Sequence, residues 1–463
     1  MHEVVTIETT GLGDRSYLAH DGTCAVVVDP QRDIDRVLAT ADAAGVTITH
    51  VLETHIHNDY VTGGLALARA TGAAYVVAGS EDVRFDRTGV QDGTELTAGG
   101  LGVRVVATPG HTPGHLSYVL SDAAGSVKGD GDGSCGPVAV FTGGSMLFGA
   151  VGRTDLISPA DTEPLTRAQY RSVRRLAAEL PDQVAVYPTH GFGSFCSATP
   201  TTGGASTIGA QRRSNLALTS NEDEFVKGLL AGLTAYPRYY AHMGPANRQG
   251  PAAPDLTTTP RRADPAELRR RIDAGEWVVD LRQRRVFAAG HLSGTISLEL
   301  GDPFATYLGW TMPWGQPLTL IGDDADQVAD ACRQLVRIGI DELAASAAGP
   351  LAELADGRTG RYEVRDFPAL ADGWPQPGRV VLDVRRPDEW HAGHLPGAVH
   401  IPFWELERRA AEVPTGVVWV HCASGFRASI GASLLDRAGR EVVHVDDDWE
   451  HAAPAGLPIT ISG

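Results

Sequence analysis

The hydrophobic pattern opens with short alternating and β-branched runs: Val4-Val5-Thr6-Ile7, Ser16-Tyr17-Leu18 and Cys24-Ala25-Val26-Val27-Val28-Asp29. Such runs predict strands. The third stops at Asp29-Pro30, because proline restricts the residue before it and offers no N–H to a sheet. Asp33 to Ala44 spaces its apolar residues as a helix, closed by Gly45. Strand-like runs recur at Ile48 to Leu52, Val103 to Ala107 and Val184 to Tyr187, and a helical pattern starts at Leu65. Strands alternating with helices predict a layered α/β domain over residues 1–245. Residues 246–261, rich in proline and holding Thr257-Thr258-Thr259, read as an extended linker. Beyond it the pattern repeats itself. Trp277-Val278-Val279-Asp280-Leu281-Arg282 recurs as Val380-Val381-Leu382-Asp383-Val384-Arg385, and Ala289-Gly290-His291-Leu292 recurs as Ala392-Gly393-His394-Leu395. Two small α/β modules are expected, at 262–356 and 361–463.

Composition narrows the function classes. The 463 residues are 43% hydrophobic and 21% charged, as in ordinary globular domains. A net charge of −18, with no basic stretch along a helix face, argues against nucleic-acid binding. No apolar run is long enough to cross a membrane, and the start at Met1 lacks the pattern of a signal peptide. Five scattered cysteines without CxxC spacing fit a reducing, cytoplasmic setting. Cys24 and Cys332 read as core residues. Lys128 to Ser134 reads as a turn between strands at Tyr118 to Leu120 and Val138 to Phe141, with Cys135 incidental beside it.

The candidate chemistry sits at strand ends. Thr54-His55-Ile56-His57-Asn58-Asp59-Tyr60 follows one strand, Thr108-Pro109-Gly110-His111-Thr112-Pro113-Gly114-His115 a second, and Pro188-Thr189-His190-Gly191 a third. Imidazoles delivered from several strand ends to one edge suit zinc or iron. His115 reads as a supporting group. In the last module the strand Val417 to His421 leads into Cys422-Ala423-Ser424-Gly425-Phe426-Arg427-Ala428-Ser429 and then a helix closed by Gly439. Successive backbone N–H groups of such a loop form an anion-binding nest, and the helix N-terminus and Arg427 add positive potential. A Cys422 thiolate or persulfide is stabilised there, with Ala423, Ser424, Gly425, Phe426 and Ala428 as the cradle. The four residues between Cys422 and Arg427 favour sulfur over the longer phosphatase loop.

The first set of motifs, His-x-His-x-Asp, Pro-Gly-His-Thr, Phe141-Thr142-Gly143 and Pro188-Thr189-His190-Gly191, resembles the metallo-β-lactamase superfamily. Gly152-Arg153-Thr154-Asp155 is similar to its persulfide dioxygenase and hydroxyacylglutathione hydrolase branch. Tyr236-Pro237-Arg238-Tyr239-Tyr240 and Asn247-Arg248-Gln249-Gly250-Pro251 resemble persulfide dioxygenases fused to rhodaneses. The implied fold is an αββα sandwich followed by two rhodanese-like α/β domains. The implied site has His55, His57 and His111 as metal ligands, Asp59 acting on a water, and His190, Cys196 and Arg153 near substrate. Two positions depart from the family pattern: Tyr60 stands where a second histidine is usual, and Gly144 where a ligand aspartate is usual. The cofactor expectation is therefore one metal ion, iron ahead of zinc, or none.

Asp383-Val384-Arg385, Gly393-His394-Leu395-Pro396-Gly397 and the Cys422 loop resemble an active rhodanese, while residues 262–356 resemble a rhodanese that has lost its nucleophile, with Gly322-Asp323-Asp324-Ala325-Asp326 in the loop position. The resemblance implies metal-dependent oxidation of a low-molecular-weight thiol persulfide to sulfite, coupled to sulfur transfer through Cys422, with sulfite or thiosulfate as small-molecule partners. A zinc-dependent thioester hydrolase fused to a sulfurtransferase, and a metal-free first domain, stay open. A homo-oligomer is compatible with the sequence.

Overall fold

A computed structural model describes residues 2–122, 136–197, 203–376 and 378–461. The turn read over Lys128 to Ser134, with Cys135, lies outside the described residues. The chain divides into two compact units, residues 1–256 with 335–339, and residues 257–334 with 340–463.

The first unit holds two six-stranded sheets. One runs in the order Glu3–Thr9, Asp14–His20, Cys24–Val28, Thr47–Leu52, Ala74–Ala78 and Thr88–Val90; the other runs Ser206–Thr207, Ala185–Pro188, Ala139–Gly143, Leu116–Asp122, Leu101–Ala107 and Glu95–Ala98. The all-apolar run at Cys24–Val28 is explained by burial on both faces. Val26 and Val28 enter the core between the sheets with Tyr118 and Phe141, while Ala25 and Val27 join the core under the helices Asp35–Ala44 and Gly64–Thr71. The helix Thr162–Glu179 covers the other sheet through Val173 and Leu176. This is the expected helix–sheet–sheet–helix sandwich. The helix Tyr240–Gln249 runs past residue 246, so extended chain starts later than the linker expectation placed it.

Parallel pairing places the chemistry. Cys24–Val28 and Thr47–Leu52 run parallel, as do Ala139–Gly143 and Ala185–Pro188, so each pair ends at one edge. The loops carrying Asp29, His55, Gly144 and His190 all leave those strand ends.

The second unit contains both sequence repeats. Its two larger sheets run Ile296–Ser297, Trp277–Asp280, Leu318–Gly322, Ala345–Ala348, and Glu363–Arg365, Val442–Val445, Val417–His421, Arg379–Asp383, Val399–His400. Read from opposite ends, the two share one strand order, and every pairing in them is parallel. The repeat extends to side chains. Arg282 Nη2 donates to Asp280 at 2.6 Å and to Gly290 O at 3.1 Å; Arg385 Nη2 donates to Asp383 at 2.6 Å and to Gly393 O at 2.7 Å. His291 stacks on Phe287 at 4.0 Å, and His394 on Trp390 at 3.7 Å.

Candidate metal centre and sulfur-transfer loop

Asp29 organises the edge of the first unit. Fully buried and held at φ 49, it accepts Thr54 N and Thr54 Oγ1 at 2.7 Å each, and the Thr189 hydroxyl. A left-handed non-glycine residue is costly, and here three hydrogen bonds from two other strand ends hold it. Those bonds fix the starts of the His55 and His190 loops relative to each other.

Each imidazole has one nitrogen tied to the protein and the other turned inward. His55 Nδ1 lies 2.9 Å from Thr54 Oγ1, while its Nε2 lies 3.3 Å from His190 Nε2. His57 Nε2 is surrounded by Tyr60 Oη at 3.0 Å and by the Asp29 and Glu53 carboxylates at 3.3 Å each. Its Nδ1 is buried without a hydrogen-bond partner. His111 Nδ1 donates to Arg153 O at 2.7 Å, leaving Nε2. His190 Nδ1 lies 2.9 Å from Asp14 and 3.1 Å from Asp59. His115, by contrast, has both nitrogens engaged, Nδ1 with Thr108 Oγ1 and Nε2 accepting from Gly144 N at 3.0 Å.

Four sets bring their ligand atoms within 4.8 Å of one another here: His55, His57 and His190; His111, His190 and Cys196; Asp14, Asp59 and His190; and Asp29, Glu53 and His57. The three histidines expected from sequence are thus joined by His190, which belongs to three of these sets, and by Cys196. Oriented imidazoles, a thiol and an orphaned buried nitrogen fit a transition-metal ion of the zinc or iron type.

The electrostatics sort these groups. Burial and the His57 charge push His55 well below the usual histidine range, and burial and His190 push His111 down to about 3, so both are neutral donors. Burial opposes a charge on His57, but Asp29 and Glu53 raise it to about 9; burial likewise opposes His190, which Asp59 and Asp14 raise well above the ordinary value. Of the two carboxylates flanking His190, burial and Asp59 raise Asp14 to about 7, whereas the His190 charge overcomes burial and holds Asp59 below the usual range. Asp59 is the ionised partner.

Several roles read from sequence take a definite place. Tyr60, a departure from the family pattern, stacks on His57 at 4.2 Å and holds its Nε2, which leaves Nδ1 for the site. Gly144 has its amide bonded to His115 and its carbonyl to Gln169, and an added Cβ would fall 2.3 Å from His111 Cδ2. Arg153, expected near substrate, spends its guanidinium on Asp155, Phe195 O and Thr234 O and lies over the Tyr236 ring, so it braces a wall. Asp14, Asp29, Glu53 and Gln169 carry no motif and were not singled out by the sequence.

In the second unit, Val417–His421 delivers Cys422, 1% exposed, and the helix Phe426–Arg437 starts four residues later from Gly425 at φ 84. A side chain at 425 is excluded, because its Cβ would lie 2.1 Å from Asp446 Oδ1. The Arg427 guanidinium grips Glu389 through two bonds of 2.6 and 2.7 Å. Burial opposes its charge, but Glu389 and the adjacent Cys422 and Tyr307 hold it protonated. Ser424 is exposed at the mouth, in a cavity of about 260 Å³ that Arg284, Arg285 and Asp446 also line. Both arginines bond Asp446, Arg284 Nε at 2.6 Å. Ala423 O accepts from Trp449 N, Ala428 is buried in the first helical turn, and Phe426 meets the Tyr307 ring at 5.3 Å.

His444 supports this loop by donating Nε2–H to Gly425 O at 2.9 Å, and burial lowers its pKa to about 4. The folded value lies below the unfolded 6.5, so this contribution is complete above pH 6.5 and lost as pH falls towards 4. Between pH 6.5 and 5 the loss is roughly 2 kcal/mol. Urea midpoints of the wild type should fall more steeply over that interval than those of His444→Gln, which has no proton to take up; parallel curves would remove His444 as the cause.

Comparison with known proteins agrees with this geometry. Residues 10–130 match the metallo-beta-lactamase superfamily, and residues 368–452 match the rhodanese-like domain. The chain is 30% identical over 224 residues to the mitochondrial persulfide dioxygenase of Homo sapiens, covering 47% of this chain and 73% of that protein. It is 33% identical over 182 residues to a hydroxyacylglutathione hydrolase of Brucella anthropi, covering 37% of this chain and 61% of that protein. A metallo-beta-lactamase structure from Staphylococcus aureus superposes with a TM-score of 0.66 at 28% identity, over 75% of this chain and 99% of that one. The chain belongs to the metallo-beta-lactamase superfamily. More narrowly, it joins a domain of that fold to a rhodanese-like domain, resembling persulfide dioxygenase–rhodanese fusions, an architecture of sulfurtransferase or hydrolase enzymes. Among the described residues no helix is long and apolar enough to cross a membrane.

Proposed function

We propose that the chain acts in sulfane-sulfur metabolism, in a reducing cytoplasm. The first domain oxidises a low-molecular-weight thiol persulfide, RSSH + O2 + H2O → RSH + sulfite + 2 H+. The Cys422 thiolate takes the outer sulfur of thiosulfate, releasing sulfite and leaving a cysteine persulfide, or runs that transfer in reverse. The observation that carries the reading is the presence in one chain of a convergent histidine cluster and a buried cysteine at the head of a short strand-to-helix loop. His55, His57, His111 and His190 would hold the metal, which supplies a redox-active Lewis-acid centre when bound. The chain's own groups do the rest. Asp14 holds the His190 Nδ1 proton with the Asp59 charge beside it, Tyr60 and Glu53 fix His57, and the edge is buried. Tethering the two sites raises the effective concentration of the shared sulfur species.

In this reading residues 262–356 are a second, silent rhodanese-like domain, supported by the repeated strand order and the paired Asp-x-Arg geometry. Gly144 favours one competing reading. Without a carboxylate there, the histidines also suit a zinc hydrolase of thioesters.

Elemental analysis of protein purified without added metal, with oxygen uptake on a thiol persulfide, separates them. We expect about one iron per chain and steady uptake, both lost at least about 100-fold in His111→Ala, since even residues behind a ligand are worth 10–100-fold. Zinc with no oxygen uptake but thioester cleavage would replace the oxygenase reading with the hydrolase one.

A further inference from the structure

Gly144 removes an anionic ligand from a buried site, and the same site contains a sulfur. Cys196 is fully buried, and its Sγ lies within 4.8 Å of the ligand atoms of His111 and His190. Its position is imposed by the residue that aims His111. Arg153 N donates to Cys196 O at 2.8 Å, while Arg153 O accepts from His111 Nδ1 at 2.7 Å. A bridge between Gly152 and Ser197 and a bond from Cys196 N to Ser194 Oγ at 3.2 Å fix the turn on its other side. The chain therefore holds an imidazole and a thiol from opposite sides of one residue, both at the cluster. His57 Nδ1, buried with no hydrogen-bond partner and 4.0 Å from Asp59, is a second unsatisfied ligand atom at the same edge.

We propose that Cys196 is a metal ligand, its thiolate taking the anionic place in the site that Gly144 leaves empty of a carboxylate. This rests on the metal-dependent reading above. The other candidate ligands are weaker. Asp59 lies 3.1 Å from His190 Nδ1 and 4.0 Å from His57 Nδ1 and also meets the Cys196 side chain, so it braces the ligand groups together. No side chain at 144 fits while His111 keeps its place. Asp29, Glu53 and Asp59 offset a divalent cation here from behind the histidines, and a directly bound thiolate would offset it at the ion itself. The metal is consequently of the thiolate-accepting class, iron, zinc or cobalt, and not magnesium or calcium.

Cobalt(II) titration of the full-length apo-protein tests this, in a Cys422→Ser background so that the rhodanese thiol contributes nothing. The expected result is a near-ultraviolet sulfur-to-cobalt charge-transfer band saturating with about one cobalt per chain. That band should vanish in Cys196→Ser and Cys196→Ala, with cobalt affinity at least about tenfold weaker, since loss of a ligand costs no less than loss of a group behind one. Two substitutions, one polar and one apolar, keep a folding defect in either from imitating the result, and far-ultraviolet circular dichroism checks both. Cobalt bound with visible d–d bands but no charge-transfer band, or a band that survives both substitutions, would overturn the ligand assignment and leave the metal reading intact. No cobalt uptake at all would overturn both.

Discussion

Replacing Cys422 with serine is expected to reduce transfer of sulfur from thiosulfate by three or more orders of magnitude, as loss of a nucleophile does in enzymes that form a covalent intermediate. The loop offers no substitute. Between the strand end at His421 and the helix at Phe426 the other residues are Ala423, Ser424 and Gly425, and the other cysteines described lie at 24, 196 and 332. A serine hydroxyl fits the same buried space, so Arg427 keeps its two bonds to Glu389 and the helix keeps its N-terminus at Gly425. The anion nest should survive with no sulfur acceptor in it. Mass spectrometry after thiosulfate treatment separates these effects, because the wild-type peptide containing Cys422 should gain one sulfur and the variant peptide none. Transfer that persists in the variant would move the sulfur carrier to another cysteine.

What the sequence exposed and what it hid divide along a physical line. His55, His57, His111 and Cys422 were legible because each stands at a strand end inside a short motif whose residue types suit one chemistry. Asp29 was not. In sequence it is an Asp-Pro that ends a strand, and only the fold reveals that it ties the Thr54 and Thr189 loops together. Asp14 acts on His190 from a strand 176 residues away, a relation that no local pattern carries, and Glu53, only four residues before His57, lies at a strand end with no motif to mark it. Tyr60 read as a loss, and its contact with His57 gives it a task. The repeat at 262–356 was visible from Asp280-x-Arg282 and Gly290-His291, but its merger with the last module into one compact unit was not. That merger is made by side chains far apart in sequence. Trp310 stacks on Trp404 at 4.7 Å, Tyr307 meets Phe403 and Phe426, and Asp446 is bonded by Arg284 and Arg285. Periodicity reports which face of an element is apolar, and leaves open what covers it.

Restoring the family's aspartate, Gly144→Asp, is expected to damage the metal centre instead of completing it. The new Cβ would lie 2.3 Å from His111 Cδ2, 2.6 Å from Cγ and 2.8 Å from Nε2, so ring or backbone must move. The backbone is held at both ends: Gly144 N donates to His115 at 3.0 Å, and Gly144 O accepts from Gly152 N at 2.9 Å and Gln169 at 3.1 Å. His111 is held as firmly, its N–H by Gln169 Oε1 at 2.7 Å and its Nδ1 by Arg153 O at 2.7 Å. The side chain that yields is the imidazole, and with it goes a ligand. We expect metal content and affinity to fall at least about tenfold, with about 1–3 kcal/mol of destabilisation from overpacking a filled site. Elemental analysis and thermal unfolding of the variant beside the wild type measure both. A gain in bound iron would mean that His111 can swing aside and still ligate, and that the carboxylate geometry of the family lies within reach of this fold. A loss would mean that the site has been rebuilt around glycine, with Gln169 and the Gly152-Arg153 segment fixing the imidazole where a carboxylate would otherwise stand.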